Sequence, residues 1–130
     1  MVTPSFTFNH IALSVKDVDE SIAFYQNVFH FKEIKNTASN SKTRWLSLGE
    51  GKQLHLISRP DAIIKTNKAV HFALATNDFG SFVKHLATLK IEYSDWRDTP
   101  HKDYIRKDGI RQVYFQDLNG YWIEVNDAVE

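Results

Sequence analysis

Residues 120–127 read GYWIEVND, and the place of Glu124 in that stretch decides how the chain is read. Strand alternation puts Tyr121, Ile123 and Val125 on one face and Trp122 with Glu124 on the other. A carboxylate set into an apolar strand is costly to bury unless something pairs with it. Three further stretches repeat the partition with an imidazole in that place. In HIALSV (10–15), Ile11, Leu13 and Val15 oppose His10; in QLHLI (53–57), Leu54 and Leu56 oppose His55; in VHFAL (70–74), Val70, Phe72 and Leu74 oppose His71. The aliphatic faces are suited to packing under helices. In a sheet that curves with its helices outside, the three histidines and Glu124 converge in the concavity.

Working outward, the chain reads as the same order of elements twice. FTFNHIALSV (6–15) has strand composition. Asp17, three residues before Glu20, marks a helix start, and Val18, Ile22, Tyr25 and Phe29 recur at helical spacing over 18–30. FKEIKNTA (31–38), TRWLSLG (43–49) and QLHLIS (53–58) read as strands, the last two joined at the turn GEGK. RPDAIIKTNK (59–68) is a polar linker. Then AVHFALAT (69–76) is a strand, Asn77 or Asp78 caps a helix with core residues Phe79, Phe82, Val83, Leu86 and Leu89, and IEYSD (91–95) is a short strand. DTPHKDYIRKDG (98–109) is a long polar loop, and RQVYFQD and GYWIEVN are strands about the turn LNG. The modules are 5–58 and 69–127. An offset of 61 sets His10 on His71 and Asp17 on Asp78, and an offset of 69 sets His55 on Glu124.

The totals exclude several classes. The length of 130 residues fits one domain, and 42% hydrophobic with 13% aromatic residues suffices for a core. Lys+Arg and Asp+Glu are 16 each, so no net field draws the chain to nucleic acid or an anionic membrane. The absence of cysteine removes disulfides and zinc–thiolate sites. The N-terminus lacks a basic start followed by an apolar run, and no apolar segment approaches the ~20 residues that span a bilayer. The expectation is a soluble, cytoplasmic protein with no membrane or nucleic-acid partner.

Three imidazoles and a carboxylate suit a divalent first-row ion: zinc, nickel, iron, manganese or cobalt. His10, His55, His71 and Glu124 are therefore the candidate ligands, with Glu124 also a candidate proton shuttle. The competing reading pairs Glu124 with a buried arginine, Arg44 or Arg111. Candidate substrate contacts are Arg44 on the third strand, Trp122 beside Glu124, and Tyr104, Arg106 and Arg111 in or after the long loop, where an anionic group would be received. His85 and His101 read as surface residues, and GEGK lacks the spacing of a phosphate-binding loop.

NHIALSVKDVDESIAFYQNVFHF, AVHFALATNDFGSFVKHL and RQVYFQDLNGYWIEVND together resemble the vicinal oxygen chelate superfamily, the glyoxalase, fosfomycin-resistance and extradiol-dioxygenase group, over nearly the whole chain. The resemblance implies an α+β fold of two βαβββ modules whose strands form a cupped mixed sheet around a metal, with helices outside. It places His10, His71 and Glu124 on the shared ligand positions, and His55 where glyoxalase I-like members commonly carry a glutamate. His30 stands where a glycine is usual, which we read as structural. A homodimer is implied. So is glyoxalase I-type lyase or isomerase chemistry on a small substrate, such as a glutathione adduct, through an enediolate. The alternatives are a metal-dependent thiol transferase of the fosfomycin-resistance type, an extradiol dioxygenase, or a non-enzymatic small-ligand-binding protein.

Overall fold

The computed structural model describes residues 2–129. The fold is mixed α+β, and the described residues form two compact units, 2–63 and 64–129. The first contains β1 (His10–Val15), α1 (Val18–Phe29), β2 (Glu33–Ile34), β3 (Arg44–Gly49) and β4 (Lys52–Ser58). The second contains β5 (His71–Ala75), α2 (Phe79–Thr88), β6 (Tyr93–Ser94), β7 (Tyr104–Ile105), β8 (Arg111–Gln116) and β9 (Trp122–Asn126).

Each unit builds its own mixed sheet. The first runs β1-β4-β3-β2, with β1 parallel to β4 and the other pairs antiparallel. The second runs β5-β9-β8-β6, with β5 parallel to β9, the rest antiparallel, and β7 also paired to β8. The registers correspond. Ala12 lies opposite His55 as Ala73 lies opposite Glu124, and Trp45 faces His55 as Tyr114 faces Glu124.

Alternation sorts the side chains as the pattern requires. Leu13, Val15, Leu54 and Leu56 are buried in the first unit, and Ile123 and Val125 in the second. Helix α1 lies against β3 and β4 and buries Ile22, Tyr25 and Val28. Each such aliphatic or aromatic residue contributes roughly 1.5–3 kcal/mol by leaving water. Asp17 accepts the Glu20 N–H and Asp78 the Ser81 N–H, so both helices begin at carboxylate caps. The β3–β4 turn has positive φ at Gly49, Glu50 and Gly51 (91°, 53° and 78°), a run that favours glycine on both sides of Glu50. Helix α1 ends at His30 in the left-handed region, φ 59°, with its N–H donated to the Gln26 carbonyl. The chain thus keeps a glycine-like turn with an imidazole on it.

Several expected elements are shorter than their composition suggests. The strand expected from residue 6 begins at His10; Phe6 and Phe8 are exposed, because the pairing with β4 reaches back only to the Gln53 N–H on the Asn9 carbonyl. The strand expected over 31–38 is two residues long. There Asn36 Oδ1 accepts the Ala38 and Ser39 N–H groups and turns the backbone away from the sheet. The strand expected over 69–76 spans His71–Ala75, because the Val70 N–H turns back to the Asn67 carbonyl. The polar loop 98–109 is not wholly irregular: Tyr104 and Ile105 pair with Gln112 and Arg111. Val28 takes the buried place expected for Phe29, which is half-buried, and Leu89 is exposed as the residue that ends α2.

Candidate metal centre

The four candidate ligands fall into two pairs, one in each unit. In the first, His10 opens β1 and His55 sits mid-β4 on the face opposite Leu54 and Leu56. Their rings stack with centroids 4.0 Å apart and planes 16° from parallel. Trp45, directly across from His55 on β3, covers its other face at 4.2 Å and 3°. His10 donates its Nδ1–H to Asn9 Oδ1 at 2.7 Å, which leaves Nε2 as a lone pair. His55 is opposite in sense: its Nε2–H is donated to Gln53 Oε1 at 2.8 Å. Burial, and then the neighbouring His10, hold the His55 imidazole below the ordinary histidine value.

In the second unit, His71 opens β5 and Glu124 is buried at the middle of β9. His71 donates its Nδ1–H to the Lys68 carbonyl at 2.8 Å, so Nε2 is again a lone pair, and it lies 3.3 Å from Glu124 Oε1. Both carboxylate oxygens are held. The Tyr114 hydroxyl donates to Oε1 at 2.9 Å and Asn126 Nδ2 to Oε2 at 2.7 Å. Gln112 Nε2 donates in turn to the Tyr114 oxygen at 2.6 Å. Burial first, and then the bond to Glu124, push the Tyr114 phenol above its ordinary value, so it stays a donor. The alternative of Glu124 pairing with an arginine is not realised. Arg44 is bound by Glu33 and Asp19, and Arg111 reaches Asp103 while stacking on Phe79.

The other candidate contacts divide similarly. Tyr104 lines a cavity of about 550 Å³ with Trp96, Arg97, Lys102, Gln112 and Tyr114. Arg106 is paired with Asp108 in its own loop. Trp122 carries the Lys68 ammonium 4.8 Å over its ring. Sequence reasoning missed Lys68 by leaving it in the linker. Its ammonium donates to Ser94 Oγ, the Asp95 and Trp96 carbonyls and Asp98 Oδ1, and it also lies near the Trp96 and Tyr114 rings. One residue thereby ties loop 94–98 to the sheet and, through its carbonyl, sets the His71 tautomer. A lysine three residues before a strand carries no pattern that foretells this. Arg97 and Lys102, the basic residues of the cavity lining, were missed because the loop's charges look alike in sequence.

The donor atoms fit a cation. His71 Nε2 and Glu124 Oε1 face each other at 3.3 Å, a contact that a proton or a metal ion between them makes attractive. Ligating histidines almost always donate the other ring N–H to a carbonyl or similar acceptor, as His71 and His10 do. Among the described residues, no group of three or more His, Cys, Asp or Glu side chains comes together as a metal cage.

Residues 7–125 match the family model described as Glyoxalase/Bleomycin resistance protein/Dioxygenase superfamily. The chain is 30% identical over 122 residues to a metallothiol transferase FosB of Lysinibacillus sphaericus, covering 91% of this chain and 79% of the relative. It is 28% identical over 128 residues to Glyoxylase I 4 of Arabidopsis thaliana, covering 92% and 69%. It also superposes, with TM-score 0.75 and 21% identity over 98% and 95% of the two chains, on a mutant of the fosfomycin resistance protein FosX of Listeria monocytogenes solved with Mn(II) and a dihydroxypropylphosphonic acid. With its two mixed sheets and two helices in the vicinal oxygen chelate arrangement, the chain belongs to the glyoxalase/bleomycin resistance protein/dioxygenase superfamily.

Proposed function

We propose that the protein is a metal-dependent enzyme that joins a thiol to a small, oxygen-bearing electrophile. His71 and Glu124 of the second module would hold a divalent ion. When bound, that ion supplies Lewis-acid polarisation of a substrate oxygen. The observation that carries the reading is the double hold on Glu124 by Tyr114 and Asn126. A carboxylate fixed at both oxygens is suited to a constant ligand charge and poorly suited to swinging between ligand and base. Thiol addition asks for no protein base that moves: the thiolate attacks carbon, a carbon–oxygen bond breaks, and the freed oxygen takes a proton from water.

Arg97 and Lys102 along the cavity support an acidic group on the electrophile, and Trp96 and Tyr104 offer apolar walls to its carbon skeleton. The resemblance to a metallothiol transferase supports the same reaction. Isomerisation of the glyoxalase I kind is the second reading, favoured by the resemblance to the Arabidopsis protein. The test is turnover after reconstitution with manganese, zinc or nickel. Thiol-dependent consumption of a phosphonate epoxide, with no isomerisation of a hemithioacetal, is the expected result. Hemithioacetal turnover alone selects the second reading, and failure of both reactions with every ion removes the enzymatic assignment.

A further inference from the structure

Resting on that reading, with the cavity of the second unit as the electrophile's place, we propose that Lys68 is the positioning residue of its cationic wall. By gripping the residues on either side of Arg97, its ammonium sets where that guanidinium stands and how tightly an acidic substrate is held.

The Lys68 side chain is 12% exposed. An ammonium that far out of water is costly unless it is paired and hydrogen-bonded, and this one is both. It donates to the Asp95 carbonyl at 2.8 Å, the Trp96 carbonyl at 3.2 Å, Ser94 Oγ at 3.2 Å and Asp98 Oδ1 at 2.6 Å. Three rings complete its surroundings, with the nitrogen 4.8 Å from the centre of Trp122, 5.2 Å from Tyr114 and 5.7 Å from Trp96.

These contacts join a fixed part of the unit to a less fixed one. Tyr114 on β8 lies directly across from Glu124, and Trp122 on β9 precedes Glu124 by two residues on the same face. Residues 95–99 leave the sheet after β6. Asp98 has φ 63° there, a conformation that a non-glycine residue keeps only with outside support. Trp96 and Asp98, held by Lys68 through a carbonyl and a carboxylate, flank Arg97, and Trp96 and Arg97 both line the cavity. Lys68 therefore couples the segment that carries Arg97 to the strand face that carries Glu124. Lys102, the other cation of the lining, is set separately: the Ser94–Pro100 bridge and the His101 N–H on the Tyr93 carbonyl hold the chain just before it.

Propylphosphonate, an unreactive anion, probes this wall without turnover. It should shift the Trp96 indole N–H signal of the wild type and saturate. Lys68→Met, which keeps the apolar stem and loses the ammonium, should bind it about tenfold more weakly, the worth of one charge-assisted hydrogen bond. The amide signals of β5, β8 and β9 should stay in place. Arg97→Gln should lose a similar factor, and Lys68→Met with Arg97→Gln no more than Arg97→Gln alone. Lys68→Met with Lys102→Gln should lose the product of the separate factors. In Lys68→Ala, n-propylammonium, which replaces the missing methylenes and ammonium, should restore affinity, and tetramethylammonium, with no N–H to donate, should not. The inference is overturned, and the cavity keeps its assignment, by wild-type affinity in Lys68→Met or by a loss that multiplies with that of Arg97→Gln. A Lys68→Ala defect that n-propylammonium leaves in place, or that tetramethylammonium repairs equally, overturns it as well. A wild-type Trp96 signal that ignores propylphosphonate removes the acidic electrophile and the inference together. With the binding pattern intact, absence of turnover removes the proposed reaction alone and leaves the role of Lys68 standing.

Discussion

Replacing Glu124 by glutamine separates the cost of the site from its use. The side chain is buried, and its oxygens accept from Tyr114 at 2.9 Å and Asn126 at 2.7 Å. Glutamine keeps the shape but only one acceptor, so one donor meets an NH₂ group, a loss of about 1.5–3 kcal/mol for a bond to a charged group. Against this, the new amide N–H can donate to His71 Nε2, where the carboxylate oxygen faces a lone pair at 3.3 Å. The metal-free variant should therefore lie within about 2 kcal/mol of wild type. For a chain of this size that corresponds to a Tm change of at most about 8 °C. The metal response behaves differently. At a free ion concentration of 100 times Kd, binding stabilises the wild type by about 2.7 kcal/mol, or about 8–11 °C. E124Q lacks the only anionic ligand, and its shift should fall below about 2 °C. Thermal melts of chelator-treated protein, with and without Mn(II) or Zn(II), read both quantities. An E124Q protein that keeps the wild-type metal shift would refute the assignment of Glu124 as a ligand.

Lys68→Met should free loop 94–98: the amides of Asp98 and Thr99, bonded to Asp95, should lose hydrogen-exchange protection, while those of β4 keep theirs. Arg44→Ala should leave turnover unchanged, because its guanidinium is already engaged by Glu33 and Asp19. Arg44 holds the Glu33 carboxyl below its ordinary value of 4.5, so that pair stabilises the fold above this pH and the contribution is lost as pH falls below it. Acid melts of the Arg44→Ala variant should show less of that loss. His30→Gly should raise stability by about 0.5–1 kcal/mol, read as an increased denaturant midpoint, because a β-carbon at φ 59° is strained.

The sequence by itself determined the faces. Alternation is local, so Ile123 and Val125 had to oppose Glu124, and Leu54 and Leu56 to oppose His55, wherever the strands went. The caps at Asp17 and Asp78 were equally local, each a carboxylate meeting an N–H three residues ahead. Pairing and orientation were not local. No pattern in the chain says that Trp45 lands on His55, that Asn36 folds its strand away, or that Lys68 reaches loop 94–98. These follow from register and ring packing between segments well apart in sequence. The tautomers of the three histidines were decided at the same level, because a ring nitrogen takes its role from the neighbour the fold supplies. Asn9, Gln53 and the Lys68 carbonyl make that choice, each by accepting one ring N–H.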